Sequence, residues 1–459
     1  MHFSRVFGTR SSLIIGLFSL TLLFTACEKD PIEPSNTEFD YSDHSLVLEW
    51  NRLFLEAERF TPGYRPPVSA RASGYIGLIA YEAAVHGTSG EYNSIAPVAL
   101  PLPDPDLTYH WETAVHAAYE AAFFHFFPTT PAEQQFQIRS FIVREKERLQ
   151  SALPPSVYFR SHEYGQRIAN LIIRWASEDD WGHEAFNRNA DPAYNPPSGP
   201  SLWQPTFPDF TPALLPHWGK VRTFTALSSD VADRPLDFST ETSSELYRQA
   251  DEVRVIVNRI KDGELPDELW IAHFWSDDCP ILTFTPSGRF ISIANQLVEL
   301  ENLDLFDALY LYAKTGMALN DAGVKCWEGK YDHNYLRPID YIREYQGEPD
   351  WNTVMCPDGS GNYFTPNFPA YPSGHATFAA AACTVFADIF GEEYTFTDRS
   401  HEGRTEFDGR PRTYQRFSDM ALENAYSRIP LGVHFQMDAD AGVELGNIIG
   451  QRINELPWK

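Results

Sequence analysis

Three short clusters in the last third of the chain carry residue types that do chemistry together. Lys330 is followed after six residues by Arg337-Pro338. Pro372-Ser373-Gly374-His375 closes the run that begins Phe368-Pro369-Ala370-Tyr371. Ser427-Arg428 is followed after five residues by His434, and after three more by Asp438. Arginine offers a planar fork of donors to a tetrahedral oxyanion, and lysine offers a point charge. Ser373 stands just before the apolar run Ala376 to Phe390. It is therefore the expected N-cap of a helix, with the Gly374 N–H left to face an anion. Pro430 suits the start of another helix, which would carry His434 and Asp438 one turn apart. Asp438 would then orient His434 and raise its basicity. Singly, these clusters read as a solvated helix end, a turn and a surface pair. Together and in order, they describe a pocket for an oxyanion with two histidines beside it. A zinc site built from His375, His434 and Asp438 would leave the Arg/Lys pattern without a role.

The rest of the chain makes that local concentration of cations notable. Over 459 residues, 36 Lys and Arg face 63 Asp and Glu, a formal net charge of −27. Such a field repels phosphate backbones, so no nucleic-acid partner is expected. Pro and Gly, 34 and 27, are ordinary for a soluble chain, which excludes collagen-like and low-complexity classes. The 14% aromatic content suits a large packed core.

The elements that must position the clusters read as helices. Leu46, Trp50, Leu53 and Phe54 share one face, as do Ile76, Ile79, Ala80 and Ala83. Further helical patterns cover 111–126, 132–151, 158–177, 241–262, 265–276, 304–327, 374–391 and 433–454. Between Asp191 and Pro216 stand eight prolines, which exclude a regular helix or a central strand. Trp203, Phe207, Phe210 and Trp218 give this stretch rings to bury, so it reads as an ordered crossover. The expected fold is all-α: two helical bundles joined by a Pro-rich crossover. An N-terminal helical region with the crossover would span 43–235, and a C-terminal bundle carrying the site would span 236–459.

Met1 to Cys27 reads as an address. Arg5 and Arg10 precede the short apolar run Leu13 to Phe24, which ends in Phe24-Thr25-Ala26-Cys27. This resembles a bacterial lipobox: residues 1–26 would be removed and Cys27 lipidated, with 27–42 as a tether. Glu28-Lys29-Asp30 resembles a surface-export signal. The expected location is the bacterial cell envelope, on the outer membrane, with the lipid as the membrane attachment. Cys279, Cys326, Cys356 and Cys383 allow three full pairings or remain as buried thiols, and their spacing does not choose.

The motifs K-x6-RP, PSGH and SR-x5-H-x3-D resemble those of the superfamily that unites phosphatidic-acid-phosphatase-type acid phosphatases with vanadium-dependent haloperoxidases. Trp327, three residues before Lys330, and Phe368, seven before His375, favour the haloperoxidase branch. So does the long helical N-terminal half, with Trp203-Gln-Pro-Thr and Pro216-His-Trp-Gly219, and the chain resembles the bacterial iodoperoxidases. The resemblance implies a vanadate cofactor, with His434 ligating vanadium. Lys330, Arg337, Ser373, the Gly374 N–H and Arg428 would bond its oxygens. His375 would handle the proton of hydrogen peroxide, and Lys330 would polarise the bound oxidant. Trp327 and Phe368 would line the halide approach. Asp438 and Asp278 would support from behind, with Asp277 competing for the latter place. Iodide, the easiest halide to oxidise, is the expected substrate, with bromide second and an organic acceptor as a further partner. In the alternative, an acid phosphatase, His434 is the nucleophile that forms a phosphohistidine and His375 protonates the leaving alcohol.

Overall fold

The long helix α9 forms the axis on which the other elements are laid. The computed structural model describes residues 39–279, 281–356 and 363–459. The expected signal segment, Cys27 and most of the expected tether lie outside the described residues. In the N-terminal half, α1 (Ser45–Phe60), α2 (Pro66–Glu82), α3 (Trp111–Phe126), α4 (Ala132–Ala152) and α5 (Pro155–Ser177) follow one another. After the Pro-rich stretch come α6 (Glu245–Lys261), α7 (Pro266–Phe274), α8 (Pro286–Glu301), α9 (Leu305–His333), α10 (Pro338–Tyr345) and α11 (Gly374–Phe390). A small antiparallel pair, β1 (Phe396–Asp398) and β2 (Arg412–Tyr414), places Phe396 opposite Tyr414. The single turn α13 (Arg428–Leu431) separates α12 (Phe417–Tyr426) from α14 (Gln436–Asn454). The fold is all-α apart from that pair. No helix among the described residues is long and apolar enough to cross a membrane.

Two close helix pairs place the site. Every residue of α2 is buried, and α2 lies along α9. A Cβ on Gly316 would stand 2.5 Å from the Ser73 carbonyl oxygen, so only glycine admits this approach. In the second pair, a Cβ on Gly442 of α14 would stand 2.7 Å from the Ser373 carbonyl oxygen. That contact brings the N-terminal ends of α11 and α14 together, and the Ser373 N–H donates to the Asp438 carbonyl at 2.8 Å. One apolar core runs through both halves of the chain, from Trp50 and Tyr75 to Phe378 and Ile449. A smaller core, with Val257, Ile342, Ile429 and Val433, backs the α13 turn.

The Pro-rich stretch holds no regular helix, as its prolines require, and it straps the end of α9. Trp203 N–H donates to Asn334 O at 2.8 Å, Leu336 N–H to Ser201 O at 3.0 Å, and Trp327 Nε1 to Leu214 O at 3.3 Å. Trp203 and Trp218 are buried, but Phe210 is 62% exposed, contrary to expectation, and its ring meets only that of Phe207, edge to face, among the described aromatic contacts. Its backbone takes a left-handed φ of 49°. Helices α8, α10 and α12 are additions to the sequence reading. Cys279 and Cys356 form a disulfide, and Cys326 and Cys383 are buried free thiols.

Candidate oxyanion site

Three helices begin at one narrow cleft. Pro66 opens α2, Pro286 opens α8 and Gly374 opens α11, and all three line it. Proline suits the first helical position because its missing N–H costs the helix nothing there. The positive ends of three helix dipoles therefore meet in one place, in a protein whose net charge is strongly negative. Asp278, Trp327, Phe368, His375, Arg428 and His434 share the lining, with Pro366 and Phe378. Lys330, Arg337, Ser373 and Asp438 stand directly behind it and are fully buried. The structure thus gathers every site residue expected from the sequence within the described part of the chain.

Ser373 is the N-cap of α11, and its Oγ accepts from the Ala376 N–H. The Gly374 N–H, at the first helical position, has no acceptor within its own helix. His434 reaches the cleft by a different route from the one expected. Pro430 does not start a helix that carries His434 and Asp438. It lies inside α13, which ends at Gly432 with a φ of 91°, a value that favours glycine. The chain turns there, His434 follows in extended backbone, and Asp438 sits in the first turn of α14. The two side chains still meet, His434 Nδ1 lying 2.9 Å from Asp438 Oδ2. Asp438 Oδ2 also accepts the Phe435 N–H at 3.0 Å and caps α14.

That carboxylate fixes the histidine. With its proton on Nδ1, His434 presents Nε2 as a lone pair, and Arg337 Nη1 donates to it at 3.2 Å. Burial and the Arg337, Lys330 and Arg428 charges hold the His434 pKa well below the ordinary histidine range. Arg337 also donates to the Phe368 carbonyl at 3.0 Å and the Val433 carbonyl at 2.8 Å. Lys330 Nζ donates to the carbonyls of Pro369, Ala370 and Pro372, beneath the Phe368 ring. All three ammonium protons are therefore spent on backbone, and Lys330 must exchange one to reach an anion. Burial pulls its pKa well down from the ordinary lysine range, and it pulls that of Arg337 down to about 10. Arg428 Nη2 pairs with Asp278 at 2.7 Å, and its pKa is likewise lowered by burial. His375 Nε2 lies 3.7 Å from the same Asp278 carboxylate, too far for a hydrogen bond. Burial and Arg428 push the His375 pKa down to about 3. Asp277 is drawn away to Arg289 and His401, so Asp278 alone of the two acids faces the site.

Arg337 Nη2, Arg428 Nε and Nη1, and His375 Nε2 are buried with no hydrogen-bond partner. A buried unpaired donor on a cation is costly, and natural interiors rarely keep one without use. Three such donors, with the neutral His375 ring and the His434 imidazole beside them, fit a multiply charged oxyanion. The cleft is not a site for a cation held by acids and histidines: among the described residues, no group of three or more His, Cys, Asp or Glu could hold a metal ion. Sequence reasoning missed the prolines that open α2 and α8. The Thr285-Pro286 and Arg65-Pro66 steps were the signals for those helix starts.

Comparison with known proteins points the same way. Residues 310–456 match the family described as the VCPO second helical-bundle domain. The chain is 24% identical to vanadium chloroperoxidase of Curvularia inaequalis, over 90% of this chain and 82% of that protein. It superposes on the crystal structure of the first bacterial vanadium-dependent iodoperoxidase with a TM-score of 0.78 and 26% identity, covering 92% of this chain and 98% of that one. It shares the fold of a holo-type bacterial vanadium-dependent chloroperoxidase at a TM-score of 0.61 and 15% identity, covering 92% and 93% of the two chains. With the motifs, the helical architecture and the cleft in agreement, the chain is similar over most of its length to vanadium-dependent haloperoxidases, and residues 310–456 match their second helical-bundle domain.

Proposed function

We propose that this protein is a vanadate-dependent haloperoxidase that oxidises halide with hydrogen peroxide to a hypohalous-acid-like oxidant, iodide being the preferred halide and bromide the second. One observation carries the reading: unpartnered Arg337 and Arg428 donors share a buried cleft with His434 Nε2. These residues fit vanadate. Arg337, Arg428, Lys330, Ser373 and the Gly374 N–H would hold its oxygens, and His434 the metal. Bound there, vanadate supplies a Lewis-acid centre that activates hydrogen peroxide.

The protein's own residues do the rest. Asp438 keeps the His434 proton on Nδ1 and so leaves Nε2 available. Arg337, Arg428 and Lys330 spread negative charge in a site of low dielectric, where fixed donors act most strongly. His375, neutral at physiological pH, can take a proton from hydrogen peroxide. Asp278 then offers the protonated ring a counter-charge while it holds Arg428 in place. The Trp327 and Phe368 rings, with centroids 4.9 Å apart, keep the halide approach partly dry. The likeness to an iodoperoxidase supports iodide. Lipidation at Cys27 would place this chemistry in the cell envelope, and radiolabelled palmitate incorporation lost in Cys27→Ala would test that address.

A paired assay tests the function. One arm follows peroxide-dependent triiodide formation before and after addition of orthovanadate. The other follows p-nitrophenyl phosphate hydrolysis by the vanadate-free protein. Vanadate-dependent iodide oxidation with little ester hydrolysis is expected. Ester hydrolysis inhibited by vanadate, with negligible iodide oxidation, would recast His434 as a phosphatase nucleophile.

A further inference from the structure

The cleft adjoins a wider vestibule, and the two share Pro66 and Asp278 in their walls. The vestibule is walled by the end of α1, the turn from Thr61 to Arg65 and the start of α8. Its acidic side chains are largely spoken for. Glu58 is buried, accepts from Ser69, Thr285 N–H and Thr285 Oγ1, and has its pKa raised by burial to about 7. Asp277 is locked to Arg289 and His401, and Asp278 to Arg428. Arg59 is partly buried, and its Nε donates to the Ile281 carbonyl at 2.7 Å. Arg65, in contrast, is solvent-exposed at the residue level and makes neither a side-chain hydrogen bond nor an ion pair with the described residues, while partial burial and the Asp278 charge act on its guanidinium. It is the N-cap residue of α2, directly before the Pro66 that lines both spaces. A free guanidinium therefore stands at the mouth of a cleft onto which three helix N-termini converge.

We propose that Arg65 is a positioning residue for the anionic substrate: it gathers halide at the vestibule and sets the halide KM, while leaving the neutral co-substrate hydrogen peroxide unaffected. This rests on the function proposed above. The physical reason is the charge of the whole molecule. At −27 the protein repels anions at long range, and a local positive mouth with low-dielectric walls offsets that repulsion. Because one substrate is charged and the other is not, the enzyme contains its own control.

The experiment is steady-state kinetics of the vanadate-loaded full chain, comparing Arg65→Glu, Arg65→Lys and Arg139→Glu. Arg139 is an exposed arginine on α4, outside the vestibule lining, and its replacement changes the net charge equally. Arg65→Glu is expected to raise the iodide KM about tenfold and to flatten its dependence on ionic strength. The peroxide KM and kcat should hold within about twofold, a margin smaller than such charge effects. Arg65→Lys and Arg139→Glu should both stay near wild type. An unchanged iodide KM in Arg65→Glu, or a matching rise in Arg139→Glu or in the peroxide KM, would overturn the proposal. A second readout needs no turnover: chloride-35 NMR line broadening by the full chain without vanadate or peroxide. Broadening should fall in Arg65→Glu, and equal broadening in that variant and wild type also overturns it. If wild type oxidises no iodide but the broadening difference is present, the anion-gathering mouth stands and the proposed activity falls.

Discussion

Two fully buried arginines in neighbouring clusters meet opposite fates. Arg289, on α8, donates to Asp277 at 2.9 Å, to Asp398 at 3.0 Å and to the Phe274 carbonyl. It lies over the Phe274 and Trp275 rings, and His401 closes the group by bonding Asp277. Arg428, whose partner Asp278 is the very next residue after Asp277, has one acid and two empty donors. The electrostatics follow. Coulomb attraction from two acids outweighs burial and lifts the Arg289 pKa, whereas burial prevails at Arg428 and Arg337 and lowers theirs. Asp277 is pulled down by its cations, and Asp438, in the open cluster, is pushed up by burial. A closed network holds structure, and an open one waits for a ligand. The two lie on adjacent residues of one loop, so the closed cluster also fixes where Asp278 stands.

The largest expected effect separates the two clusters by function. Arg337→Met should lower vanadate-dependent turnover by about 10²- to 10³-fold, the usual cost of one lost charge-stabilising donor. Its denaturant midpoint should fall by less than that of Arg289→Met, because the buried charge it removes has no acid partner in hydrogen-bond contact, although the Phe368 and Val433 carbonyls lose a donor. Arg289→Met should show the opposite balance. Leaving Asp277 and Asp398 buried without their cation should cost about 3–5 kcal/mol of stability, read from the shift in denaturant midpoint. Equal destabilisation by the two substitutions would erase the distinction drawn here.

A smaller effect concerns His375. His375→Ala should retain vanadate but lose about 10²-fold or more in kcat near neutral pH, the range for loss of a positioned acid–base group. Lost vanadate binding in that variant would assign His375 to the cradle instead.

The smallest is a pH effect with a definite sign. The folded His375 pKa of about 3 lies below its unfolded value, so protons favour the unfolded chain. Stability from this residue is fully present above about pH 6.5 and is lost as pH falls toward the folded value, about 2 kcal/mol by pH 5. His375→Gln should remove that share of the slope in chemical denaturation at pH 7 and 5. Added phosphate, by placing negative charge in the cleft, should raise the His375 pKa in NMR titration and also reduce the slope.

The cradle was legible in the sequence because its chemistry is concentrated in short segments. Lys330 and Arg337 flank the turn that ends α9, and Ser373 to His375 are one helix start. The closed cluster was not legible, because its members come from three distant elements. Asp277 follows α7, Arg289 sits in α8, Asp398 ends β1, and His401 lies in the connection from β1 to β2. Each strand of that hairpin has only three residues, too few to show alternation. The misplaced helix start at Pro430 has the same origin. Proline marks a first turn equally well whether the helix continues or stops, and here Gly432, the left-handed C-cap of α13, stops it. The helix missed at 286–301 had an available signal in Thr285, whose Oγ1 caps the Gly288 N–H at 3.1 Å.

The most direct test of the open cluster is orthovanadate binding by equilibrium dialysis of the full chain. Wild type should bind one vanadate per chain, displaced by phosphate. His434→Ala should lose that binding, Arg337→Met should weaken it, and Arg289→Met should leave it intact at temperatures where the variant is folded. Unchanged vanadate binding in His434→Ala, or none in wild type, would contradict the assignment of this cleft.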